Sequence, residues 1–213
     1  MTRKWVEVDL DGLRKKLKRR GIRYAIFEPL QNALDEDVTR VDVTLPRPVN
    51  GSTVLTVTDD SPTGFRDLAD AYTMFKTSYK QIDATKRGIF NLGEKLVLAL
   101  CDEASIETTT GTVRFDAAGR HVGRKKTAKG SIFTGKMKLT IAEWEELCEA
   151  VKLLIPSAPV FFNEQEIPSR KPIHEFEATL PTVLANEDGE LRRSMEDQRA
   201  ALQPPSERMR NDI

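Results

Sequence analysis

The feature that most constrains the fold is a pair of segments in which apolar and polar residues alternate. Residues 40–46 have the sequence RVDVTLP, and residues 53–58 have the sequence TVLTVT. Alternation with a period of two places the apolar side chains on one face of a β-strand, and that face requires burial. The intervening PRPVNGS is rich in turn-forming residues. The sequence therefore predicts a β-hairpin with a loose loop, packed on a core.

Other segments predict the elements that complete this core. Helical spacing of apolar residues, together with capping residues, predicts helices at residues 9–20, 23–36, 65–75, 93–103 and 141–154. Further strands are predicted at residues 104–110, 112–116 and 131–139, with a strand and turn at 159–168. Pro29 lies inside the second helix and predicts a kink or a late helix start there. Residues 76–92 lack periodicity and are expected to form a mobile loop.

Composition narrows the class of protein. The chain has 213 residues, of which 39% are hydrophobic, and no segment approaches the roughly 18 consecutive apolar residues of a membrane span. The N-terminus lacks the apolar region of a secretory signal. Cys101 and Cys148 form neither a metal-ligand pattern nor a disulfide framework. We expect a cytoplasmic protein that does not enter a membrane.

Two basic clusters stand out against a balanced charge of 33 basic and 33 acidic residues. Their members are Arg14, Lys15, Lys16, Lys18, Arg19 and Arg20 in the first, and Arg120, Arg124, Lys125, Lys126 and Lys129 in the second. Such clusters form either solvated surfaces or contacts with phosphate groups. Obligate nucleic-acid binders are usually more basic than this chain, so a solvated surface is the favoured interpretation.

The second predicted helix carries a stripe of polar side chains. Glu28, Gln31, Asn32 and Asp35 are spaced by three, four and seven residues, which places them on one side of a helix. An amide oxygen from Asn32 suits a hard cation such as Mg²⁺. Glu28 suits the orientation or deprotonation of a water molecule. A solvated helix face is the alternative interpretation of the same stripe.

Three more segments contain polar residues or glycines of the kind that form ligand-binding sites. VTDDSPTGF, residues 57–65, places a carboxylate at the end of a strand, where it can accept a hydrogen bond from an exocyclic amine. TKRGIFNLGEKLVLAL, residues 85–100, has a glycine-containing loop before a helix, an arrangement that favours phosphate, with Lys86, Arg87 and Lys95 adding positive charge. KGSIFTGKMKL, residues 129–139, brings a Gly-Ser pair into a strand.

The order of these four segments resembles the GHKL ATPase superfamily. E-x-x-Q-N-A-x-D is followed by V-T-D-D-S-P-T-G-F, then G-I-F-N-L-G-E-K and then G-S-I-F, within roughly residues 9–140. The superfamily includes the gyrase B subunit, MutL, the topoisomerase VI B subunit, the large ATP-driven heat-shock chaperone and histidine-kinase catalytic domains. The motifs also resemble ATP-binding proteins of actinobacteria and their phages, including the lysis-inhibition type.

The resemblance implies a fold and a division of the chain. The fold is α+β, a two-layer sandwich of the Bergerat type, with a mixed, mostly antiparallel sheet and helices on one face. Residues 1–140 would form the ATP-binding domain. Residues 141–185 would form a helix-strand extension packed on it, or the start of a transducer-like segment. Residues 186–213 are charged and are expected to form a disordered tail.

The resemblance also assigns roles to residues. Glu28 stands at the position of the general base, and Asn32 at that of the Mg²⁺ ligand. Ser131 stands where the family usually has Thr beside the adenine. The implied ATP-binding residues are Asn32, Asp35, Asp59, Asp60, Gly64, Lys86, Gly88, Asn91, Leu92, Gly93, Lys95 and Ser131.

This chain departs from the family pattern at three places. The adenine motif D-x-G-x-G matches Asp60, Pro62 and Gly64 without a gap, whereas a match that starts at Asp59 needs a one-residue insertion. Asp59 would share a strand face with Val57, and either aspartate remains a candidate for the adenine contact. Asn91 replaces a common lid glycine. Pro29 directly follows the candidate base.

The function expected from the resemblance is Mg²⁺-dependent binding and slow hydrolysis of ATP. A lid from about Lys76 to Gly93 would close over the triphosphate and act as a conformational or dimerisation switch. The alternative is a module that holds ATP or ADP without useful turnover and captures a protein or nucleic-acid partner. A histidine kinase is disfavoured, because neither His121 nor His174 lies in a helical heptad pattern.

Overall fold

The computed structural model describes residues 9–19, 21–65, 67–73, 93–168, 174–185 and 191–202. Its helices are α1 (Leu10–Arg19), α2 (Tyr24–Leu34), α3 (Gly93–Leu98) and α4 (Ile141–Val151), with a 3₁₀ turn at Leu68–Ala71. Its strands are β1 (Val41–Thr44), β2 (Ser52–Asp59), β3 (Cys101–Thr108), β4 (Gly111–Asp116), β5 (Gly119–Gly123), β6 (Ser131–Lys138), β7 (Val160–Phe162), β8 (Gln165–Glu166), β9 (His174–Ala185) and β10 (Leu191–Leu202).

Eight of the strands form one sheet in the order β5-β4-β3-β6-β2-β1-β7-β8. Neighbouring strands are antiparallel except for β1 and β7, which are parallel. The expected mixed, mostly antiparallel sheet is therefore confirmed. Among the described residues, no helix has the length and apolar character needed to cross a membrane.

The predicted hairpin is present, with β1 antiparallel to β2 and Val41 opposite Asp59. Its connection ends in a tight turn, because Val49 and Ser52 exchange backbone hydrogen bonds at 2.9 and 3.0 Å. Asn50 and Gly51 occupy the turn with φ values of 53° and 73°. Asn-Gly suits a two-residue hairpin turn in which both central residues have positive φ. The end of the loop is thus more defined than the composition alone suggests.

The core is formed by apolar residues of both the sheet and the helices. Leu55 and Val57 of β2 are buried, as are Ile26 and Leu30 of α2. α2 contacts β1 and β2, and α3 contacts β3. The alternating burial along β2 is what its sequence period predicts. The described part of the chain is therefore an α/β protein in which α2 packs directly on the central strands.

Two predicted helices differ from the structure. The helix expected at 93–103 ends at Leu98, and β3 starts at Cys101. The apolar run at residues 96–100 extends two residues past Leu98, so it does not mark where the helix ends, and β3 then pairs with both β4 and β6. Of the helix expected at 65–75, the described residues form only the 3₁₀ turn.

Pro29 does not delay the second helix, which begins at Tyr24 and contains the proline. Pro29 has no N–H to donate to the carbonyl of Ala25. Both residues are buried in the core. Packing of the apolar face of α2 therefore offsets the missing backbone hydrogen bond.

The C-terminal part of the chain contains a second, two-stranded sheet, in which β9 and β10 pair antiparallel. Residues 191–202 thus have strand backbone where the sequence predicts a charged tail, because a partner strand accepts and donates their backbone hydrogen bonds. Residues 186–190 and 203–213 lie outside the described residues. Helix α4 contacts α2, and Trp144 Nε1 donates to the carbonyl oxygen of Leu45 at 3.2 Å. The division at residues 140 and 185 stays a prediction.

Candidate functional site

Four buried polar side chains meet where β2 and β3 end and β6 begins. We call this group the polar edge; its members are Asp59, Ser61, Thr108 and Ser131. The register brings them together, because Thr108 lies opposite Ser131 and Thr58 lies opposite Ile132. Ser131 Oγ lies 3.3 Å from Thr108 Oγ1, which accepts a hydrogen bond from the backbone N–H of Phe65 at 2.7 Å.

Asp59 is the charged member of the polar edge. Its Oδ1 accepts from the N–H of Ser61 at 2.9 Å, and its Oδ2 accepts from the N–H of Ser131 at 3.1 Å. Burial raises the pKa of Asp59 to about 6, against the two backbone hydrogen bonds that lower it, and nearby Glu36 adds to the rise. A carboxylate held in this way presents fixed hydrogen-bond acceptors in a dry environment.

Asp60 has the opposite environment. Its carboxylate accepts from Thr39 Oγ1 at 2.5 Å and from the N–H groups of Thr39 and Arg40 at 2.9 and 3.1 Å. Lys129 Nζ lies 3.6 Å away. The hydrogen bond from the Thr39 side chain is the main cause that lowers the pKa of Asp60 to about 2. Asp60 therefore holds the chain that enters β1, outside the polar edge.

Two glycines with positive φ allow the close approach of backbone at the polar edge. At Gly130, with φ of 64°, a Cβ would lie 1.9 Å from the carbonyl oxygen of Asp59. At Gly64, with φ of 56°, a Cβ would lie 2.4 Å from Thr108 Oγ1. L-residues with side chains rarely adopt this conformation. Both glycines are thus required for the turns that surround Asp59.

The polar stripe of α2 is divided by the structure. Glu28 lies against α3, since a Cβ on Gly93 would be 1.6 Å from Glu28 Oε2. Burial raises the pKa of Glu28. Gln31 instead lines an open pocket of about 230 Å³ with Phe27, Leu153, Leu154 and Ile155. Gln31 therefore belongs to a different surface from Glu28.

Asn32 and Asp35 follow Glu28 along the helix. Asn32 is half-buried and Asp35 is buried at the C-terminal end of α2. Within the described residues, the side chains of Glu28 and Asn32 form no hydrogen bond. At 1.5 Å per residue, Glu28 and Asp35 are about 10 Å apart along the helix axis. Because α2 contacts β2, and Val41, seven residues after α2 ends, lies opposite Asp59, the C-terminal end of α2 lies toward the polar edge.

The remaining predicted site residues divide into two groups. Gly93 begins α3, and Lys95 is buried two residues further along the same helix. Lys86, Gly88, Asn91 and Leu92 lie outside the described residues, as does most of the predicted lid. The structure therefore brings Glu28 and Gly93 together at one place, and Asp59, Gly64 and Ser131 at another.

Several side chains of the basic clusters have acidic or aromatic partners. Arg14 pairs with Asp102 and Lys18 with Glu143 in the first cluster. In the second cluster, Lys125 pairs with Glu107, Lys129 with Asp60, and Arg120 lies 3.8 Å from the centre of the Tyr72 ring. Paired cations are less available to phosphate groups, which supports a mainly solvated surface.

Three residues of the site were missed from the sequence. Gly130 stands out in the sequence only as part of a Gly-Ser pair, and Ser61 only as a member of the segment VTDDSPTGF. Thr108 gave no sequence signal, because its role depends on the pairing of β3 with β6.

The chain matches no known protein-family model and no curated protein. The geometry of the described residues therefore carries the functional argument.

Proposed function

We propose that this protein binds Mg²⁺-ATP and hydrolyses it slowly, as a member of the GHKL ATPase type with a two-layer Bergerat sandwich. The observation that carries the proposal is the buried carboxylate of Asp59, fixed at the end of β2 by the N–H groups of Ser61 and Ser131. Support comes from α2, which carries Glu28 and Asn32 beside the start of α3.

The polar edge would hold the adenine base. Asp59 is an acceptor for the exocyclic amino group, and Ser131 lies beside it with a hydroxyl that both donates and accepts. Guanine carries a carbonyl oxygen at the position of this amino group, which a carboxylate repels. Of the two neighbouring aspartates, Asp59 is the better candidate, because it lies in the polar edge and accepts two hydrogen bonds. Asp60 lies outside the polar edge, where it accepts three hydrogen bonds from Thr39 and Arg40 and pairs with Lys129.

Helix α2 would run beside the nucleotide from base to phosphates. Its C-terminal end approaches Asp59, and Glu28 lies about 10 Å back along the axis, a length comparable with that of a nucleoside triphosphate. Glu28 meets the start of α3, where Gly93 leaves room for the carboxylate. A carboxylate with a raised pKa is a better proton acceptor at neutral pH, so Glu28 suits the activation of a water molecule.

The donor atoms also fit a magnesium ion held mainly by the phosphates. Asn32 would supply an amide oxygen, which is a hard ligand of the kind Mg²⁺ prefers. In the described part of the chain, no group of three or more His, Cys, Asp or Glu side chains is placed to hold a metal. When bound, Mg²⁺ supplies charge neutralisation at the phosphate oxygens. Asn32 orients the complex, and Glu28 takes the proton from water.

Closure of the predicted lid, from about Lys76 to Gly93, would couple nucleotide binding to a conformational or dimerisation switch. A homodimer formed in the presence of ATP is the expected partner state. The alternative is a module that holds ATP or ADP and captures a protein or nucleic acid without turnover. Both functions use the same nucleotide site, but the ATPase requires Glu28 to act on water and the capture module does not.

The test is calorimetric titration with Mg²⁺-ATP, combined with phosphate release on the same sample. We expect Asp59→Asn to lower ATP affinity by at least tenfold, which corresponds to about 1.4 kcal/mol. The matched control Asp60→Asn keeps an acceptor oxygen for the N–H groups of Thr39 and Arg40 and should retain affinity. We expect Glu28→Gln to bind ATP and to release no phosphate.

Other outcomes separate the two functions. Binding without phosphate release by the wild-type protein supports the capture module and rejects the ATPase. Absence of ATP binding by the folded wild-type protein rejects both. Loss of affinity in Asp60→Asn with none in Asp59→Asn would show that the base site is assigned to the wrong aspartate.

A further inference from the structure

The hydroxyl of Ser61 is a buried polar group without a partner. Ser61 is 1% exposed, and among the described residues its Oγ has no hydrogen-bond partner. A buried hydroxyl that loses water and gains no partner is unfavourable. Most buried polar groups in folded proteins have a hydrogen-bond partner, and a group without one calls for an explanation such as a functional role.

The backbone of Ser61 is firmly held within the polar edge. Its N–H donates to Asp59 Oδ1 at 2.9 Å, and its carbonyl oxygen accepts from the N–H of Gly130 at 2.6 Å. The serine therefore sits next to the carboxylate on which the proposed base site depends. Only its side chain retains unused hydrogen-bonding capacity, and rotation about χ1 is the motion available to it.

We propose that Ser61 is a specificity-determining residue of this site, whose hydroxyl donates a hydrogen bond to ring nitrogen N1 of adenine. This inference rests on the proposed function, in which Asp59 accepts from the neighbouring amino group. Together the two residues match the donor and acceptor that adenine presents side by side. The hydroxyl is buried in the ligand-free protein. Ser61 therefore turns about χ1, or residues 60–65 shift, so that the hydroxyl reaches the base when it binds.

The proposal predicts opposite effects on stability and affinity. Ser61→Ala removes the unpartnered hydroxyl, so the unfolding free energy of the ligand-free protein should be unchanged or higher. ATP affinity should fall about five- to thirty-fold, the equivalent of one or more neutral hydrogen bonds. The control is Thr53→Ala, also on a buried residue, whose hydroxyl donates to the Pro46 carbonyl oxygen at 2.6 Å. Thr53→Ala should lower stability and leave affinity unchanged.

The deciding experiment compares ATP with 1-deaza-ATP, in which a C–H group replaces N1, by calorimetry on wild-type protein and Ser61→Ala. We expect the wild-type protein to bind ATP more tightly than the analogue, and Ser61→Ala to bind the two equally. Equal binding by the wild-type protein overturns the inference, and that arm needs no variant. Unchanged ATP affinity in Ser61→Ala also overturns it. If the wild-type protein binds neither nucleotide, the proposed function fails instead, and the inference fails with it.

Discussion

At the scale of single residues, the environments of two neighbouring aspartates shift their pKa values in opposite directions. Asp59 loses solvation at the end of β2, which raises its pKa to about 6. Asp60 gains hydrogen bonds from Thr39 and Arg40, which lower its pKa to about 2. A one-residue step reverses the face of a strand, and here it decides which carboxylate belongs to the site.

This difference predicts how stability depends on pH. A raised pKa in the folded state means that Asp59 favours folding when protonated, a contribution present below about pH 4 and lost as pH rises through about 6. The Asp59→Asn variant has no carboxyl group at this position, so its stability does not fall in this way as pH rises. The unfolding free energy of the variant relative to wild type should therefore increase from about pH 4 to pH 7, by an amount on the order of 2 kcal/mol.

Urea unfolding at several pH values measures this prediction. Asp60→Asn is the control, because a lowered pKa gives a contribution that is present above about pH 4 and lost as pH falls through about 2. Its difference from wild type should be flat between about pH 5 and pH 7. A flat profile for Asp59→Asn would contradict the burial of a charged Asp59.

At the scale of elements, the contact between α2 and α3 depends on Gly93. An added Cβ would lie 1.6 Å from Glu28 Oε2, at the far end of a flexible side chain that is able to move aside. We expect Gly93→Ala to retain its stability, while phosphate release at saturating Mg²⁺-ATP falls as far as in Glu28→Gln.

Chemical unfolding, calorimetry and phosphate release together check this prediction. Gly12→Ala in α1 is a matched control, since it also places a Cβ against a carboxylate, 3.0 Å from Asp9 Oδ2. It should leave phosphate release unchanged. Full turnover in Gly93→Ala would show that the position of Glu28 does not limit the reaction.

The elements also show what a sequence is able to predict. Periodic apolar patterns predict β1, β2, β6 and α4, and the buried side chains of these elements lie where those patterns place them. β5 was missed because all five residues are exposed, so pairing with β4 forms the strand and no apolar face marks it. The end of α3 was misplaced because the apolar run at residues 96–100 extends two residues past the helix, up to the start of β3. Sequence motifs single out Glu28, Asn32 and Asp59 as candidates, whereas the positions of Thr108 and Gly130 depend on contacts distant in sequence.

At the scale of the whole molecule, ion pairs connect segments that are distant along the chain. Arg14 of α1 pairs with Asp102 at 3.3 Å, Lys18 of α1 with Glu143 of α4 at 3.1 Å, and Arg23 with Glu146 at 3.0 Å. All of these side chains are partly exposed, so each pair adds at most about 1 kcal/mol. Burial of the apolar core, to which the sheet and all four helices contribute, therefore matters more for stability than these pairs.

A ligand that binds the folded state and not the unfolded state should stabilise the whole molecule, because binding shifts the unfolding equilibrium toward the folded protein. At a free concentration one hundred times Kd, Mg²⁺-ATP adds about 2.7 kcal/mol, which raises Tm by about 5 to 10 °C in a chain of this size. Glu28→Gln is the protein to use, because it should hold ATP without consuming it.

The rise in Tm should shrink as pH falls through about 6, since protonated Asp59 no longer offers its full acceptor capacity. The phosphates of ATP also titrate in this range, so adenosine, which has none, is the control ligand and should show the same loss. A rise in Tm that persists unchanged at low pH, with both ligands, would place the base away from Asp59.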